Sequence, residues 1–452
     1  MRKNIIWTAP IFTVLMVALI VFASAQELER DYLPIVQRPL PTPTMTPTPS
    51  PTMTPIPTIT PTPTVSPTPS ATPESIVEFR GLWVSRFDWA AYNNADPAKV
   101  EEIVENAAAA GFNVLFFQVR GTADAYYTPG LEPWAQRLTG TLGQDPGWDP
   151  LQLMIDKAHA KGIQVHAYIN TYPVWTGCEA PPDDSSPRHL YYQLLDEHGA
   201  TDGKVNGMQW DTDGNVVCHV YQYMTPASVF GDDHLLAVAQ DLVTRYDVDG
   251  LHLDHIRYVG KNASCDPVSA ARYGDVCFGD DEYDDWQRQQ VNGTVAKLYA
   301  QVVPLKPGLW LSAAVWPVHK DKWGWNANQG YVNYYQDSKA WLQSGHIDSI
   351  SPMIYTSSPG CPDESFWTQS RWQTLVADYQ AESNGRFIIP GIGATYCTFD
   401  EIAWRIAKAR EFGTAGHAIF SYSGLADRGY FDDLAAGPYA IPATVPEITW
   451  HP

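Results

Sequence analysis

The sequence predicts an α/β fold: a single (β/α)8 barrel of the TIM type, with long loops after several of its strands. Two observations support this prediction. From residue 77 onward, apolar runs of strand length alternate with helical patterns, and the alternation yields eight strands. Strands that alternate with helices form parallel sheets, and eight of them favour closure into a barrel. An open doubly wound sheet is the alternative, but no glycine-rich phosphate loop follows the first strand.

The elements of the barrel follow one another in a regular order. The predicted strands are Phe79–Trp89, Asn113–Gly121, Ile163–Asn170, Val248–Tyr258, Leu309–Pro317, Ile347–Thr356, Arg386–Tyr396 and Ala415–Leu425. The predicted helices are Ala98–Ala110, Leu151–Lys161, His234–Tyr246, Trp286–Val303, Val332–Gln343, Phe366–Glu382 and Phe399–Glu411. Glycine follows several of these helices, as is typical of a left-handed C-cap. The barrel, predicted at 77–440, exceeds the roughly 250 residues usual for this fold, and the excess lies in loops after strands 2, 3 and 4.

Residues 1–25 have the pattern of a secretory signal peptide. Arg2 and Lys3 precede an apolar stretch that runs from Ile5 to about Phe22, and Ala23-Ser24-Ala25 supplies small residues for cleavage before Gln26. The alternative is that this stretch is not cleaved and anchors the protein in the membrane, and a membrane tether is expected only in that case. The sequence therefore predicts a secreted or cell-envelope protein.

Residues 26–76 are predicted to be a disordered linker. Of the 35 residues from Pro39 to Pro73, 13 are proline and most of the others are threonine, so the segment cannot bury a core. Proline-rich chains adopt extended polyproline II structure and act as semi-rigid spacers.

Charge and cysteine content limit the possible partners. Lys and Arg number 29 against 50 Asp and Glu, which gives a formal charge of −21 and argues against nucleic-acid binding. Aromatic residues make up 12% of the chain, a content suited to stacking on sugar rings as well as to plain packing. The six cysteines show no zinc-like spacing, so we expect disulfides and no cofactor or metal. Fifteen pairings are possible, and the pairing of sequence neighbours would join Cys178 to Cys218, Cys265 to Cys277 and Cys361 to Cys397.

The fourth predicted strand carries the most informative polar residues. Side chains alternate along a strand, so His252 and Asp254 share one face, and Asp254 lies near the strand's C-terminal end, where barrel enzymes hold their active sites. Arg257 and Tyr258 follow it closely. The alternative for Asp254 is a structural salt bridge to Arg257.

Glycoside hydrolysis is the chemistry that best fits a carboxylate at a barrel mouth in an exported, aromatic-rich protein. The reaction uses two carboxyl groups, one as nucleophile or base and one as proton donor. Asp254 is predicted to be the first catalytic residue and Asp124, after the second strand, the second. Weaker candidates for the second carboxyl group are Asp281, Glu282, Asp321 and Glu364.

Substrate-binding candidates are polar and aromatic residues near the predicted strand ends, and for several of them structural packing is an equal alternative. They are Arg120, Trp134, His166, Asn170, His252, Arg257, Tyr258, Trp316, Tyr355 and Tyr396.

Segments from residue 79 to about residue 425 resemble, in order, the glycosyl-hydrolase-like family ten barrels of exported bacterial proteins. The similar segments are Phe79–Val84, Gln118–Gly121, Asp124–Tyr127, Glu132–Trp134, Trp148–Leu151, Ala158–His159, Val165–Asn170, Arg245–Asp254, Tyr335–Asp337, Trp341–Leu342 and Ile347–Tyr355. The resemblance implies a barrel hydrolase of envelope glycans, with peptidoglycan strands stripped of their stem peptides as the favoured substrate. Many relatives carry a second Asp directly after the strand-4 Asp, where this chain has His255.

Two other functions compete with the glycosidase. A glycan-binding barrel without catalytic activity would explain the uncertain second carboxyl group. A metal-dependent hydrolase or deacetylase is suggested by the His252-x-Asp254-His255 pattern, although no His-x-His pair occupies an early strand.

Overall fold

The computed structural model describes residues 75–218, 220–274, 277, 279–356 and 366–451. The predicted signal peptide, nearly all of the predicted linker, Cys361 and Glu364 lie outside these described residues.

The predicted barrel is confirmed by one parallel sheet. Its strands are β1 (Phe79–Val84), β2 (Val114–Arg120), β3 (Gln164–Asn170), β4 (Gly250–Asp254), β5 (Trp310–Val315), β6 (Ser349–Pro352), β7 (Phe387–Ile388 and Gly391–Gly393) and β8 (Gly416–Phe420). Neighbouring strands pair in sequence order, and β8 pairs with β1.

The sheet closes through the two segments of β7. The first segment pairs with β6 and the second with β8, so the two ends of the sheet belong to one short stretch of chain. Ile389 donates its backbone N–H to Ile350, and the carbonyl of Pro390 accepts from Ala418. Proline has no N–H to donate, which accounts for the break in the strand.

Helices cover the outside of the barrel. The main ones are α1 (Pro97–Ala110), α2 (Pro150–His159), α3 (Val229–Arg245), α4 (Asp281–Val302), α5 (Ser338–Ser344), α6 (Gln369–Ala381) and α7 (Phe399–Glu411). Shorter helices are Arg86–Trp89, Gln136–Thr139, Leu190–His198, Pro267–Tyr273, Val303–Leu305, Gly330–Asn333, Tyr422–Arg428 and Phe431–Ala436. The side chains of Asp96 and Asp149 cap α1 and α2, each followed by proline at the first helical position, where the missing N–H costs nothing.

The inside of the barrel is a packed core of aromatic side chains. Phe79, Trp83, Phe116, Tyr168 and Trp310 fill it and are almost completely buried. The barrel is therefore no pore, and a substrate can only be held above this core, at the C-terminal ends of the strands.

Several predicted elements are longer than the observed ones. After β1 the chain turns into the helix Arg86–Trp89, because Ser85 and Asp88 form a reciprocal capping box. The predicted helix Val332–Gln343 is interrupted, because Tyr335 adopts a left-handed conformation and Asp337 starts a new helix as its N-cap. Apolar patterns continue through such turns, so they do not mark where an element ends.

Loops above the barrel are held by disulfides. Strand Pro173–Thr176 pairs with strand Tyr221–Tyr223, and the Cys178–Cys218 disulfide closes this hairpin. Cys265 is joined to Cys277. Two of the three predicted pairs are thereby confirmed, and the third involves Cys361, outside the described residues. Across the described part of the chain, no helix is both long and apolar enough to span a bilayer.

Candidate active site

Asp254 is the last residue of β4 and lies at the mouth of the barrel, almost completely buried. Tyr168 of β3 donates its hydroxyl to one carboxylate oxygen at 2.8 Å. The other oxygen accepts the backbone N–H of His255 at 2.6 Å and a guanidinium N–H of Arg257 at 3.3 Å. These donors fix the orientation of the carboxylate before any substrate arrives.

Asp254 is ionised throughout the physiological pH range. Burial by itself would raise the pKa of this carboxyl group, but the electrostatic interactions with His255 and Arg257 and the hydrogen bonds from Tyr168 and from the His255 backbone outweigh burial. They hold the pKa of Asp254 well below its ordinary value. An ionised carboxylate suits a nucleophile, a base or a stabiliser of positive charge, and not a proton donor.

His255 is neutral and held in a single orientation. Its Nδ1 atom lies 3.1 Å from the hydroxyl of Tyr223 and 3.4 Å from an Arg257 guanidinium nitrogen. Since arginine can only donate, Nδ1 is the acceptor and the ring hydrogen is on Nε2. Burial, helped by nearby arginine charge, lowers the pKa of His255 to about 4. The residue has a positive φ of 50°, a conformation in which non-glycine residues are uncommon and often functional.

His252 lies beneath Asp254 inside the barrel. The indole N–H of Trp83 donates to Nε2 of His252 at 3.1 Å, so Nδ1 carries the hydrogen and donates to Ser312 at 2.8 Å. Burial lowers the pKa of His252 to about 3. Its ring stacks on Phe116 and meets the ring of Tyr168 edge-on. His252 therefore supports Tyr168 from below and has no exposed surface of its own.

Arg86 connects the two predicted catalytic carboxylates. It donates to the hydroxyl of Tyr221 at 2.7 Å, and it interacts electrostatically with Asp124 on one side and with Tyr168 and His255 on the other. Its position depends on Gln118, whose side-chain amide oxygen accepts the Arg86 backbone N–H at 3.0 Å.

Asp124 shapes the loop that follows β2. One carboxylate oxygen accepts the backbone N–H groups of Gly121 and Thr122 at 3.0 and 2.7 Å. The other has a single long contact of 3.4 Å, with the hydroxyl of Thr122. Asp124 thus has one oxygen committed to the loop and one that is weakly engaged.

Aromatic rings line two sides of the mouth. Tyr355 stacks on Phe420 with ring centres 4.8 Å apart and interacts electrostatically with Asp254. Trp316 lies against Tyr334, and the guanidinium of Arg257 sits 5.4 Å from its ring centre. The structure therefore brings five predicted residues together: Asp254, His252, Arg257, Trp316 and Tyr355.

Other predicted residues are closed off from the mouth. Arg120 is completely buried and forms a bidentate ion pair with Glu132, which also contacts His234. His166 lies deep in the barrel against Trp310 and Phe79, where burial lowers its pKa to about 3. The contacts of Arg120 and His166 therefore stabilise the fold.

Asn170 lies beside the site and ties β3 to β2. Its carbonyl oxygen accepts from Gln118 at 3.2 Å, and its amide donates to the carbonyl of Gly121 at 3.0 Å. Asn170 thereby holds Gln118, which in turn positions Arg86.

The remaining predicted aromatic residues are packing residues. Trp134 is buried in the core outside the barrel. Tyr258 has no exposed surface and packs edge-on against Tyr335. Tyr396 is covered by the guanidinium of Arg405 at 4.1 Å from its ring centre.

The sequence-based list omitted Tyr168, Arg86, Tyr221 and Tyr223. Tyr168 could have been found, because strand alternation places it on the same face as the two β3 residues that were selected. Tyr221 and Tyr223 reach the site only because a long loop folds back over the mouth, which no local pattern indicates. Within the described residues, no group of three or more His, Cys, Asp or Glu side chains could hold a metal ion.

The chain is similar to one known protein family and to known proteins. The model of the family described as "Glycosyl hydrolase-like 10" matches residues 78–380. Glycosyl hydrolase YngK of Bacillus subtilis is 27% identical over 409 residues, which cover 82% of this chain and 74% of that protein. Glycosyl hydrolase DigH of Escherichia coli K12 is 29% identical over 308 residues, covering 62% of this chain and 66%, just under two thirds, of that protein.

Solved structures share the fold. The glycoside hydrolase domain of PgaB (BpsB) from Bordetella bronchiseptica matches with a TM-score of 0.57 at 12% identity, over 82% of this chain and all of that chain. Alpha-L-fucosidase isoenzyme 2 from Paenibacillus thiaminolyticus matches with a TM-score of 0.51 at 15% identity, over 80% of this chain and 49% of that chain. At these identities the similarity concerns the fold alone.

Proposed function

The chain belongs to the glycosyl hydrolase-like 10 family, and from this premise we propose that it is a glycoside hydrolase whose reaction centre is Asp254. The observation that carries the proposal is the ionised, almost buried Asp254 carboxylate, fixed by Tyr168, His255 and Arg257 at the C-terminal end of β4. This is the end of the barrel at which enzymes of this fold carry out their chemistry.

In the proposed reaction, Asp254 acts on the sugar carbon from which the glycosidic bond departs. An ionised carboxylate can attack that carbon, activate a water molecule or stabilise the positive charge that develops there. Tyr168 and the His255 N–H keep the carboxylate in place through the reaction, so little reorganisation is needed.

Asp124 is the proposed proton donor to the leaving oxygen. It lies in the loop after β2, and Arg86 interacts electrostatically both with it and with Tyr168 and His255 beside Asp254. Its weakly engaged oxygen is the one available to carry and release a proton.

We infer that the substrate is a cell-wall or extracellular glycan, with peptide-free peptidoglycan strands favoured, and that the protein acts outside the cytoplasm. Two disulfides and the N-terminal signal pattern support export. Tyr355 and Trp316 offer apolar ring surfaces for sugars at the mouth.

A non-catalytic glycan-binding barrel is the second candidate. It is favoured by one observation: Asp124 already serves its own loop with one oxygen.

The test is release of reducing ends from a panel of purified glycans that includes peptide-free peptidoglycan strands. Wild type should release them, and Asp254→Asn should lower the rate by at least about a thousandfold while keeping the melting temperature and glycan affinity. Asp124→Asn should lower it to a smaller extent, and Asp156→Asn, at an exposed position of α2 outside the barrel, serves as the matched control. If wild type bound glycans but released reducing ends from none of them, the second candidate would be favoured.

A further inference from the structure

A pair of arginines lies at the rim of the mouth in this strongly acidic protein. We call Arg86, Phe87, Tyr92 and Arg137 the arginine rim. The guanidinium of Arg86 lies 4.4 Å from the ring centre of Phe87, and that of Arg137 lies 4.5 Å from the same centre. Both positive charges are thus held against one aromatic ring.

The backbone packs closely around the two arginine side chains. Gly121 has no side chain, and a Cβ atom there would come within 3.1 Å of the Arg86 side chain. Arg137 is placed by its Nε–H bond to the carbonyl of Ala90, in the hairpin that carries Tyr92. Arg86 is almost completely buried, Arg137 is half-buried, and Phe87 and Tyr92 are exposed.

Neither guanidinium forms an ion pair in the described part of the chain, although Asp124 interacts electrostatically with Arg86 from a greater distance. No carboxylate there lies within ion-pair distance of either guanidinium, in contrast to Arg120, which is neutralised by Glu132. Burial and the neighbouring charge of Arg86 lower the pKa of Arg137. Bringing two buried or half-buried cations together costs free energy that a bound anion would offset.

The rim is connected to the reaction centre by direct contacts. Arg86 donates to Tyr221, Tyr221 meets the ring of His255 edge-on at 5.6 Å between ring centres, and the His255 N–H holds Asp254. The rim lies in the segments that follow β1 and β2, at the same end of the barrel as Asp254, so a glycan chain bound at Asp254 could reach it with a neighbouring sugar.

We propose that the arginine rim is a subsite for a carboxylate substituent of the glycan, so that the enzyme selects anionic chains although its net charge is −21. This inference rests on the proposed function. Guanidinium groups bind carboxylates through paired, charge-assisted hydrogen bonds, and exposed Tyr92 can stack on the sugar ring that carries the carboxylate.

The experiment measures the affinity of the Asp254→Asn protein for two forms of one glycan. One form is peptide-free peptidoglycan strands, and the other is the same strands with their carboxyl groups reduced to alcohols. We expect the native strands to bind about tenfold more tightly. Arg137→Gln in this background should abolish most of that preference by weakening binding of the native strands alone, and Arg137→Lys should retain part of it.

Lys161→Gln is the matched control, because it removes the same charge at the end of α2, at the opposite end of the barrel, and should change neither affinity. Equal affinity for the two strand forms would overturn the inference, and so would an equal effect of Arg137→Gln on both. The comparison of strand forms needs no rim variant, so poor folding of Arg137→Gln would not leave the inference untested.

The failure of this inference is distinguishable from failure of the proposed function. A wild-type enzyme that cleaves native and reduced strands equally well is a glycosidase without the proposed selectivity. A protein that prefers native strands through Arg137 but releases no product has the rim and lacks the activity.

Discussion

At the residue scale, the site depends on how one carboxylate is kept charged in a buried position. Asp254 is surrounded by donors from three sources: a tyrosine on β3, the backbone of the next residue and a guanidinium three residues on. His255 contributes its backbone N–H and a neutral ring, so this chain has no second acidic side chain directly after Asp254. Two of these donors are themselves supported, Tyr168 by His252 and His255 by Tyr223.

Tyr168→Phe tests this support. Loss of the hydroxyl removes a hydrogen bond from Asp254, so its pKa should rise and its orientation should loosen. We expect kcat to fall about ten- to hundredfold with little change in KM. Tyr172→Phe is the matched control, since it removes a buried hydroxyl that contacts Thr294 and not Asp254. An unchanged kcat in Tyr168→Phe would contradict the assigned role.

His166 gives a prediction about pH. Its pKa is about 3 in the folded protein and about 6.5 in the unfolded chain, so between pH 7 and pH 5 only the unfolded chain takes up the proton. Stability is therefore lost as the pH falls, by about 2 kcal/mol for this one group at pH 5. The free energy of unfolding of His166→Leu, measured in urea, should fall by about 2 kcal/mol less than that of wild type between pH 7 and pH 5. The control is His346→Gln at an exposed position, whose stability should depend on pH as that of wild type does. The same pH dependence in His166→Leu as in wild type would refute the explanation.

At the element scale, the loops above the barrel determine the shape of the mouth. The hairpin of Pro173–Thr176 and Tyr221–Tyr223 brings two tyrosines over the strand ends, where they contact Arg86 and His255. The Cys178–Cys218 disulfide joins residues 40 positions apart, just beyond the paired residues Thr176 and Tyr221. Closing a loop of this length corresponds to about 4 kcal/mol of chain entropy.

The double substitution Cys178→Ser, Cys218→Ser should lower the melting temperature and raise KM severalfold, because the hairpin that positions Tyr221 and Tyr223 loosens. The matched comparison is Cys265→Ser, Cys277→Ser, which opens a bridge across only 12 positions in a different loop. This second pair should lower stability by a smaller amount and leave KM nearly unchanged. Equal changes of KM in both pairs would argue against a specific role of the hairpin.

At the scale of the whole molecule, the C-terminal tail closes the other end of the barrel. Ala443–Thr444 pairs with Ile76–Val77, and Val445 and Ile448 pack on the aromatic core inside the barrel. Trp450 and His451 donate to or contact the buried carboxylate of Asp348 at 2.7 and 2.8 Å. The ordered packing therefore continues beyond the predicted boundary at residue 440.

Removal of residues 443–452 should destabilise the protein by about 3 kcal/mol or more, because several apolar side chains and the aromatic core lose their cover. The measurement is the free energy of unfolding in urea. Glu447→Ala, which changes an exposed side chain of the same tail, is the control. Unchanged stability of the shortened chain would show that the tail is not part of the folded unit.

The sequence by itself determined the barrel, the order of its strands and the position of Asp254. These features follow from local alternation of apolar residues and from the rule that parallel strands end on the same face. Two disulfide pairs were also predicted, since each joins neighbouring cysteines. The capping turn at Ser85 and the left-handed His255 ended strands earlier than the apolar pattern indicated.

Only the tertiary structure decided which side chains meet at the mouth. Arg120 and Trp134 had the right residue types near a strand end, but Glu132 neutralises the first and the core buries the second. Tyr221 and Arg137 come from loops far from Asp254 in sequence, and their contacts depend on how those loops fold back over the strands. Such placements result from packing between distant segments, and a local pattern carries no information about them.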